Sequence, residues 1–351
     1  MTELFIPTDH EHMQIKPGRR TGFPVMIGVH STILGPAIGG LRIKHYDLAS
    51  DGLADVLRLS QAMTMKAAAI DNGTGGGKTV VPIPVGVEIT PALKQAVLLD
   101  VADHVHALNG MYHVAPDVGT GPADIDIIRR RTPYSGGYSK EAGGAGGTTY
   151  GTFIGLETAV RAAVAQSLGK DSMRGLTVSI VGLGGIGTLL AQTFAKEGAK
   201  LVVSDIEQSR MAFADELGAT WLTPDEAMLA ECDVLAPCAL GGVLAPSVVA
   251  NLRASIVCGA ANNQLSTEEV AEQLRAREIV YVPDFIANAG GLMYASGIEL
   301  HHRSEAGSDK HTRDKIAENV AQVLKQASEK GITTQESALE LARQRLRNAT
   351  R

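Results

Sequence analysis

The sequence predicts an α/β protein of two domains, and three observations carry that reading. The chain has 351 residues, long for one core and comfortable for two. From residue 177 onward, β-branched runs alternate with helical stretches in the rhythm of a parallel sheet. Before residue 147 the rhythm differs: strands and helices are interrupted by glycine-rich segments, as in a separate α+β unit.

The most ordered stretch spans residues 177–205. Thr177-Val178-Ser179-Ile180-Val181 is a short β-branched run, and Gly182-Leu183-Gly184-Gly185-Ile186-Gly187 follows it directly, opening an apolar helical pattern through Ala195. This is the dinucleotide fingerprint in the context it requires. Gly182 allows the tight turn, Gly184 lets the backbone approach a pyrophosphate, and Gly187 lets the helix pack on the strand. The diphosphate would rest on the helix N-terminus, with Gly185 and Ile186 in its first turn. The next strand ends at Asp205, 18 residues after Gly187. A carboxylate there would meet the adenine ribose hydroxyls and repel a 2′-phosphate, so NAD is expected over NADP. Glycines alone would equally suit a structural turn; strand, helix and acid together favour the cofactor. Further strands at residues 219–221, 233–236, 255–258 and 278–281 complete a six-stranded doubly wound Rossmann sheet, expected over residues 148–326.

In the front domain, residues 1–147, segments 24–30 and 41–43 read as strands joined through residues 35–40. Residues 51–69 place Leu53, Val56, Leu57, Leu59, Ala62 and Met63 at helical spacing. The chain is expected to break over residues 72–77 and to restart as a strand at 79–83. Thr90-Pro91 caps a helix that stops at Asn109-Gly110. Residues 112–114 form a strand leading to Asp117, and 122–131 a short helix. Residues 141–147 read as a loose, glycine-rich hinge before a long bridging helix over 148–168. Thr333-x-x-Glu336 is a capping box for the last helix. The C-terminal helices, about 327–351, are expected to fold back onto the front domain.

Composition removes several function classes. Formal net charge is −6 with no basic block, which gives nucleic acid and anionic membranes nothing to hold. No apolar run approaches the ~18 residues of a membrane span. Residues 1–12 carry acids and histidines where a secretory leader would have a basic stretch and an apolar core. Cys232, Cys238 and Cys258 lie in apolar surroundings and read as reduced residues, so a cytoplasmic protein is expected. His10-x-His12 is half a metal site at most, and without an HExxH or a Cys/His cluster no metal is expected; the pair reads as a solvated face. His301-His302 reads as exposed, and Met111 as core filler.

The chemistry must come from the front domain. Lys66 ends an apolar helical stretch and Lys78 follows three glycines. Lysine is seldom buried unless its ammonium is paired or its pKa lowered. Such a pair would supply one fixed charge for a substrate carboxylate and one desolvated amine for proton transfer; two surface lysines beside a flexible loop is the plainer alternative. Asp117, at a strand end beside Gly119, is either a carboxylate that exchanges protons with an amine or an ordinary turn aspartate.

Eight motifs occur in order: Gly35-Pro36-Ala37-Ile38-Gly39-Gly40-Leu41-Arg42, Met63-Thr64-Met65-Lys66-Ala67-Ala68, Gly75-Gly76-Gly77-Lys78, Pro116-Asp117-Val118-Gly119-Thr120, the fingerprint, Ala236-Pro237-Cys238-Ala239, Gly259-Ala260-Ala261-Asn262-Asn263 and Pro283-Asp284-Phe285-Ile286-Ala287-Asn288-Ala289-Gly290-Gly291. Over residues 30–300 the chain resembles the glutamate/leucine/phenylalanine/valine dehydrogenase family, and within it the phenylalanine dehydrogenase-like members. The resemblance implies NAD-dependent oxidative deamination of an L-amino acid to a 2-oxo acid and ammonia, small-molecule partners only, and a homo-oligomer. It implies that Lys66 holds the α-carboxylate, that Gly39 and Gly40 belong to the substrate site, that Lys78 is the general base and that Asp117 relays a proton at the amino nitrogen. Asn262 would hold the amino group near the nicotinamide, Thr148 would contact the carboxamide, and Cys238, Ala239 and Ala260 would line the cofactor.

The resemblance also bears on the substrate side chain. Glutamate enzymes of the family carry a lysine just before the Gly-Gly-Leu-Arg run, where this chain has Ile38, which cannot offset the desolvation of a second carboxylate. The other pocket positions map to Met63, Gly136, Leu292 and Ala295. The small Gly136 and Ala295 favour an aromatic side chain, phenylalanine first, with branched aliphatic and indole substrates next, since a methylene is worth only ~1–3 kcal/mol. A hydroxy-acid dehydrogenase would instead need a His/Asp pair and a carboxylate-binding Arg. A non-catalytic NAD-binding sensor would usually have lost one of the lysines or the aspartate. Pro116, where relatives often carry an acid, and Tyr150 in the bridging helix depart from the pattern with no assigned consequence.

Overall fold

The computed structural model describes residues 9–349, so most of the segment read for a leader, residues 1–8, lies outside it. The chain divides into two units. The first holds the residues up to Gly147, Ala295–Arg303 and those from Ala342 onward; the second holds Thr148–Tyr294 and Ser304–Leu341.

The first unit is built on a five-stranded sheet of β1 (His12–Pro17), β2 (Pro24–Ser31), β3 (Ala37–Tyr46), β4 (Gly75–Pro84) and β5 (Tyr112–Pro116), in the order β1-β2-β4-β3-β5. β2 runs antiparallel to β1 and β4, while β3 runs parallel to β4 and β5. The alternation of strand side chains sends Val25, Ile27, Val81 and Ile83 to one face, against α2 (Pro91–His106) and α3 (Pro122–Arg129). Met26 and Val80 go to the other, against α1 (Ala49–Ala69).

Several expectations are corrected here. The glycine run read as a break is the start of β4, and Gly75, Gly76 and Gly77 are all buried. A Cβ on Gly76 would stand 2.0 Å from the Thr64 nitrogen of α1, and one on Gly77 would stand 2.6 Å from the Tyr112 ring. These glycines let helix and sheet touch; the turn itself is made by Asp71 and Gly73, both at positive φ. His10 and His12 are not on a solvated face. The His10 side chain is 4% exposed and its Nε2 is 2.6 Å from Ser60 Oγ, while His12 opens β1, a strand with too few apolar residues to be read from pattern. Met111 is 41% exposed, in the turn after α2. The segment read as loose contains buried Gly144 and Ala145, and the Ala145 N–H donates to Glu299 Oε1 at 2.9 Å.

The second unit carries β6 (Thr177–Val181), β7 (Lys200–Ser204), β8 (Thr220–Trp221), β9 (Cys232–Pro237), β10 (Ala254–Val257) and β11 (Val280–Tyr281). Their order is β11-β10-β9-β6-β7-β8 and every pairing is parallel, the doubly wound arrangement with its reversal between β6 and β9. The helices after α3 are α4 (Thr149–Leu168), α5 (Gly185–Glu197), α6 (Met211–Glu216), α7 (Pro224–Met228), α8 (Pro246–Val249), α9 (Glu269–Ala276), α10 (Asp284–Ala287), α11 (Gly290–Glu299), α12 (Glu305–Lys330) and α13 (Thr334–Ala349). α4 is buried on every side from Gly151 to Val160 because α10 and α12 both pack on it. Tyr150, whose role the sequence left open, donates from its hydroxyl to Asp309 of α12 at 2.7 Å.

The C-terminal expectation is narrowed: α12 and the start of α13 group with the second unit, and only the residues from Ala342 onward join the first. There Arg345 donates to the Ala68 and Ala69 carbonyls at the end of α1, at 3.2 and 2.6 Å, and so caps that helix. Among the described residues no helix is long and apolar enough to cross a membrane, and no group of His, Cys, Asp and Glu is placed to hold a metal.

Candidate active site

The first unit assembles an ion pair at the end of β5. Lys78 has the same parity as Val80 on β4, so it points to the α1 face, where its side chain is 6% exposed. Asp117 follows the last residue of β5. Its N–H donates to Thr120 Oγ1 at 2.9 Å, and that hydroxyl donates to the Leu41 carbonyl at 2.9 Å, which turns the carboxylate back over β3. Lys78 Nζ then donates to Asp117 Oδ2 at 2.7 Å. The glycines of β3 make room for this: a Cβ on Gly40 would stand 2.5 Å from Asp117 Cβ and 3.0 Å from Lys78 Nζ, and one on Gly39 would stand 1.8 Å from the Gly77 carbonyl oxygen.

Electrostatics follows from burial. Desolvation pushes the Lys78 pKa below its ordinary value; Asp117 opposes this without cancelling it, and the Arg42 charge adds to it. Burial alone would raise the Asp117 carboxyl, but Lys78 and Arg42 outweigh it and hold the group below the usual range. The result is a buried amine that yields its proton more readily than a free lysine, beside a carboxylate kept ionised. Such a pair can exchange a proton.

Arg42 was not singled out from the sequence. Its Nε donates to Asp117 Oδ2 at 2.9 Å and its Nη1 to Asp55 Oδ2 at 2.9 Å, and Asp55 is held in turn by the Tyr46 hydroxyl at 2.7 Å. The available signal was an arginine inside an apolar strand, since such a residue needs a partner.

The remaining first-unit candidates are placed as follows. Lys66 and Met63 lie half-buried on α1, Lys66 in its last turn. Ile38 is 8% exposed and pairs in register with Gly76 and His113. Gly136 donates its N–H to the Val114 carbonyl at 2.8 Å, and a Cβ on it would stand 3.1 Å from Glu299 Oε2. Ala295 is buried in α11, three residues after the half-buried Leu292 of the second unit.

In the second unit the residues fit a dinucleotide. Gly182 has φ of +105°, and a Cβ on it would stand 2.8 Å from Ala239 Cβ. A Cβ on Gly187 would stand 2.0 Å from the Gly182 carbonyl oxygen, which ties helix to turn. A Cβ on Gly184 would meet nothing within 4 Å, whereas one on Gly185 would stand 3.0 Å from Thr149 Cγ2, so the open space at the start of α5 lies over Gly184. Ile186 is half-buried there, and the first N–H groups of a helix have no intrahelical acceptor. Asp205 accepts from the Leu183 N–H at 2.7 Å and the Glu207 N–H at 2.9 Å, which leaves each carboxylate oxygen a further lone pair.

Other residues of this unit gather at the strand ends. Cys238 donates its N–H to the Val181 carbonyl at 2.8 Å, and burial pushes its thiol up to about 11, which makes it inert. Asn262 is exposed and accepts through Oδ1 from Asn288 Nδ2 at 2.9 Å; the same amide reaches the Ala260 carbonyl at 3.1 Å. Thr148 is exposed, one residue before α4, and a Cβ on Gly291 would stand 2.9 Å from its Cβ. Asn288 is a second residue the sequence did not mark as functional.

Comparison with known proteins decides the family. Residues 9–134 match the family described as Glu/Leu/Phe/Val dehydrogenase, dimerisation domain, and residues 203–351 match Glutamate/Leucine/Phenylalanine/Valine dehydrogenase. A leucine dehydrogenase from Geobacillus stearothermophilus is 34% identical over 96% of this chain and 91% of its own length. The chain belongs to the glutamate/leucine/phenylalanine/valine dehydrogenase family. A phenylalanine dehydrogenase from Caldalkalibacillus thermarum is 33% identical, covering 98% of this chain and 93% of its own. The solved L-tryptophan dehydrogenase of Nostoc punctiforme superimposes with a TM-score of 0.85 at 31% identity, over 97% of both chains. Residues 153–240 also match the NAD binding domain of D-isomer specific 2-hydroxyacid dehydrogenases, a likeness confined to the cofactor fold. This family member is therefore an NAD-dependent amino acid dehydrogenase.

Proposed function

We propose that the enzyme catalyses reversible oxidative deamination of an apolar L-amino acid, phenylalanine first, to its 2-oxo acid and ammonia. One observation carries the reading: the buried Lys78–Asp117 pair at 2.7 Å, in which burial lowers the proton affinity of the amine. NAD, when bound, accepts the hydride that leaves the substrate Cα. Lys66 pairs with the α-carboxylate, in the motif shared with the family. Lys78, whose pKa is lowered by burial, takes in its deprotonated form a proton from the water that attacks the resulting imine carbon. Asp117 passes that proton to the nitrogen, giving the carbinolamine; on collapse the hydroxyl proton follows the same route through Lys78 and Asp117 to the nitrogen, the C–N bond breaks, and ammonia departs. Asn262, oriented by Asn288, receives the substrate amino group, and Thr148 the carboxamide of the nicotinamide.

The side-chain preference rests on Ile38, nearly buried, and on the small Ala295. Gly136 weighs less than its size suggests, because Glu299 stands where a larger residue would reach. Indole and branched aliphatic substrates follow phenylalanine, in keeping with the tryptophan and leucine dehydrogenases among the relatives. We further read the protein as a cytoplasmic homo-oligomer; the dimerisation-domain description of its front half supports assembly, which sedimentation would measure. The deciding assay is NADH consumption with ammonia and phenylpyruvate, indolepyruvate, 4-methyl-2-oxopentanoate, 3-methyl-2-oxobutanoate or 2-oxoglutarate. Phenylpyruvate is expected to give the highest kcat/KM and 2-oxoglutarate the lowest. Oxidation of NADH that does not depend on ammonia would overturn the deamination reading.

A further inference from the structure

We propose that Glu299 is a positioning residue for proton transfer: it holds the loop after β5 against Pro116, so that the next residue, Asp117, keeps its aim at Lys78. The proposal rests on the roles of Lys78 and Asp117 given above.

Glu299 ends α11, and its carboxylate is spent on backbone. Oε2 accepts from the Gly137 N–H at 2.6 Å and Oε1 from the Ala145 N–H at 2.9 Å, with the Tyr138 N–H a further donor. Those donors lie eight residues apart in the chain, so one side chain closes the whole loop from both ends. Nothing shorter or singly accepting does this: each oxygen serves a different arm. The loop is braced elsewhere as well, by the Ser139 N–H on Asp126 Oδ1 at 3.0 Å and by the Arg129 guanidinium 3.8 Å over the Tyr138 ring.

The tethered residue touches the catalytic turn. Gly137 has φ of +74°, and a Cβ on it would stand 2.5 Å from Pro116 Cδ, so its backbone is seated directly on the proline ring. Pro116 is the last residue of β5, and Asp117 follows it. A proline has no free φ rotation to absorb a displacement, so pressure on its ring is passed to the next residue. Gly40 closes the other side: a Cβ there would stand 3.1 Å from the Pro116 carbonyl oxygen. Pro116, which the sequence left with no assigned consequence, thereby gains a purpose in this chain as the surface through which the loop bears on Asp117.

The test is a double-mutant cycle on the full-length enzyme with Glu299→Gln and Pro116→Ala, read as kcat/KM for the amino acid across pH, normalised to folded protein. Glu299→Gln puts an amide NH2 against one of the backbone donors. It is expected to lower kcat/KM about tenfold and to displace the acid limb of the profile, with the Kd for NADH unchanged. Pro116→Ala is expected to do the same, and the double variant to be no worse than the weaker single, because both act through one contact. Should Glu299→Gln not accumulate as folded protein, Glu299→Asp takes its place in the cycle. Losses that multiply, a profile and kcat/KM like those of the parent enzyme, or a loss that only tracks the folded fraction would each overturn the proposal. Lys78→Ala separates the two levels. Turnover surviving in Lys78→Ala defeats the parent reading, whereas an inactive Lys78→Ala beside an unaffected Glu299→Gln defeats this inference alone.

Discussion

Lys78 and Arg42 donate to the same oxygen, Asp117 Oδ2, from 2.7 and 2.9 Å. Two cations on one acceptor hold the carboxylate ionised, and each disfavours the charge of the other. A guanidinium does not give up its proton, so Lys78 is the one that yields. Arg42→Gln removes a charge that depresses Lys78, leaving Asp117, Asp55 and Lys44 as the neighbouring charges. The acid limb of kcat/KM is then expected to move to higher pH, with activity at neutrality reduced. Arg42→Lys should recover only part of the difference, since an ammonium cannot reach Asp117 and Asp55 together. An acid limb that stays put in Arg42→Gln would show that the two cations do not communicate.

Asp117→Asn should act in the opposite direction. The carboxylate raises the Lys78 pKa against the effect of burial; without it, burial acts alone and the pKa falls further. The acid limb is expected to move to lower pH. Turnover is expected to drop by about 10²-fold or more, because the proton relay to nitrogen is gone. Rate measurements on both sides of neutrality check the sign, and a limb displaced upward would contradict it.

Two glycines give contrasting substitutions. A methyl on Gly40 would stand 2.5 Å from Asp117 Cβ, so Gly40→Ala should cost about 1–3 kcal/mol and disable the ion pair. A methyl on Gly184 meets nothing within 4 Å and leaves stability unchanged, yet it occupies the space a diphosphate needs. Calorimetry and NADH titration together should show Gly40→Ala losing stability and turnover, and Gly184→Ala losing only NADH affinity. Equal NADH affinity in Gly184→Ala and the parent enzyme would place the diphosphate elsewhere.

The Rossmann half was legible because its signals are local. A β-branched strand, a glycine turn and an acid at fixed spacing involve neighbours in sequence, and β6, α5 and β7 lie where that pattern put them. The first unit was harder because its glycines serve tertiary approach. Gly75 to Gly77 look like a loop in isolation; they are strand because they pair with β2 and β3, and glycine because Ser31, Thr64 and Tyr112 stand too close for a side chain. Arg42 and Glu299 could not be given partners for a related reason: Asp117 and Gly137 are 75 and 162 positions away from them. His10 shows the converse error, since a histidine near the chain start reads as exposed until β1 seats it on Ser60.

We propose that Asp205 governs the choice between NAD and NADP, through charge and through shape. Its Oδ2 holds the Leu183 N–H inside the glycine turn and its Oδ1 holds the Glu207 N–H, so the side chain is fixed before any ribose arrives. Asp205→Asn keeps one acceptor but places an amide donor against the other N–H and abolishes the repulsion of a 2′-phosphate. The Kd for NADH is expected to rise about tenfold, equivalent to ~1.4 kcal/mol. The ratio of NADPH to NADH affinity should rise by more than that, since only the phosphorylated cofactor gains from losing the charge. Raising ionic strength should narrow the discrimination of the parent enzyme and leave that of Asp205→Asn nearly flat, because only the former depends on like charges. Fluorescence titration of both cofactors at two salt concentrations measures all three quantities. An unchanged ratio in the variant would mean that Asp205 braces the turn without reading the ribose.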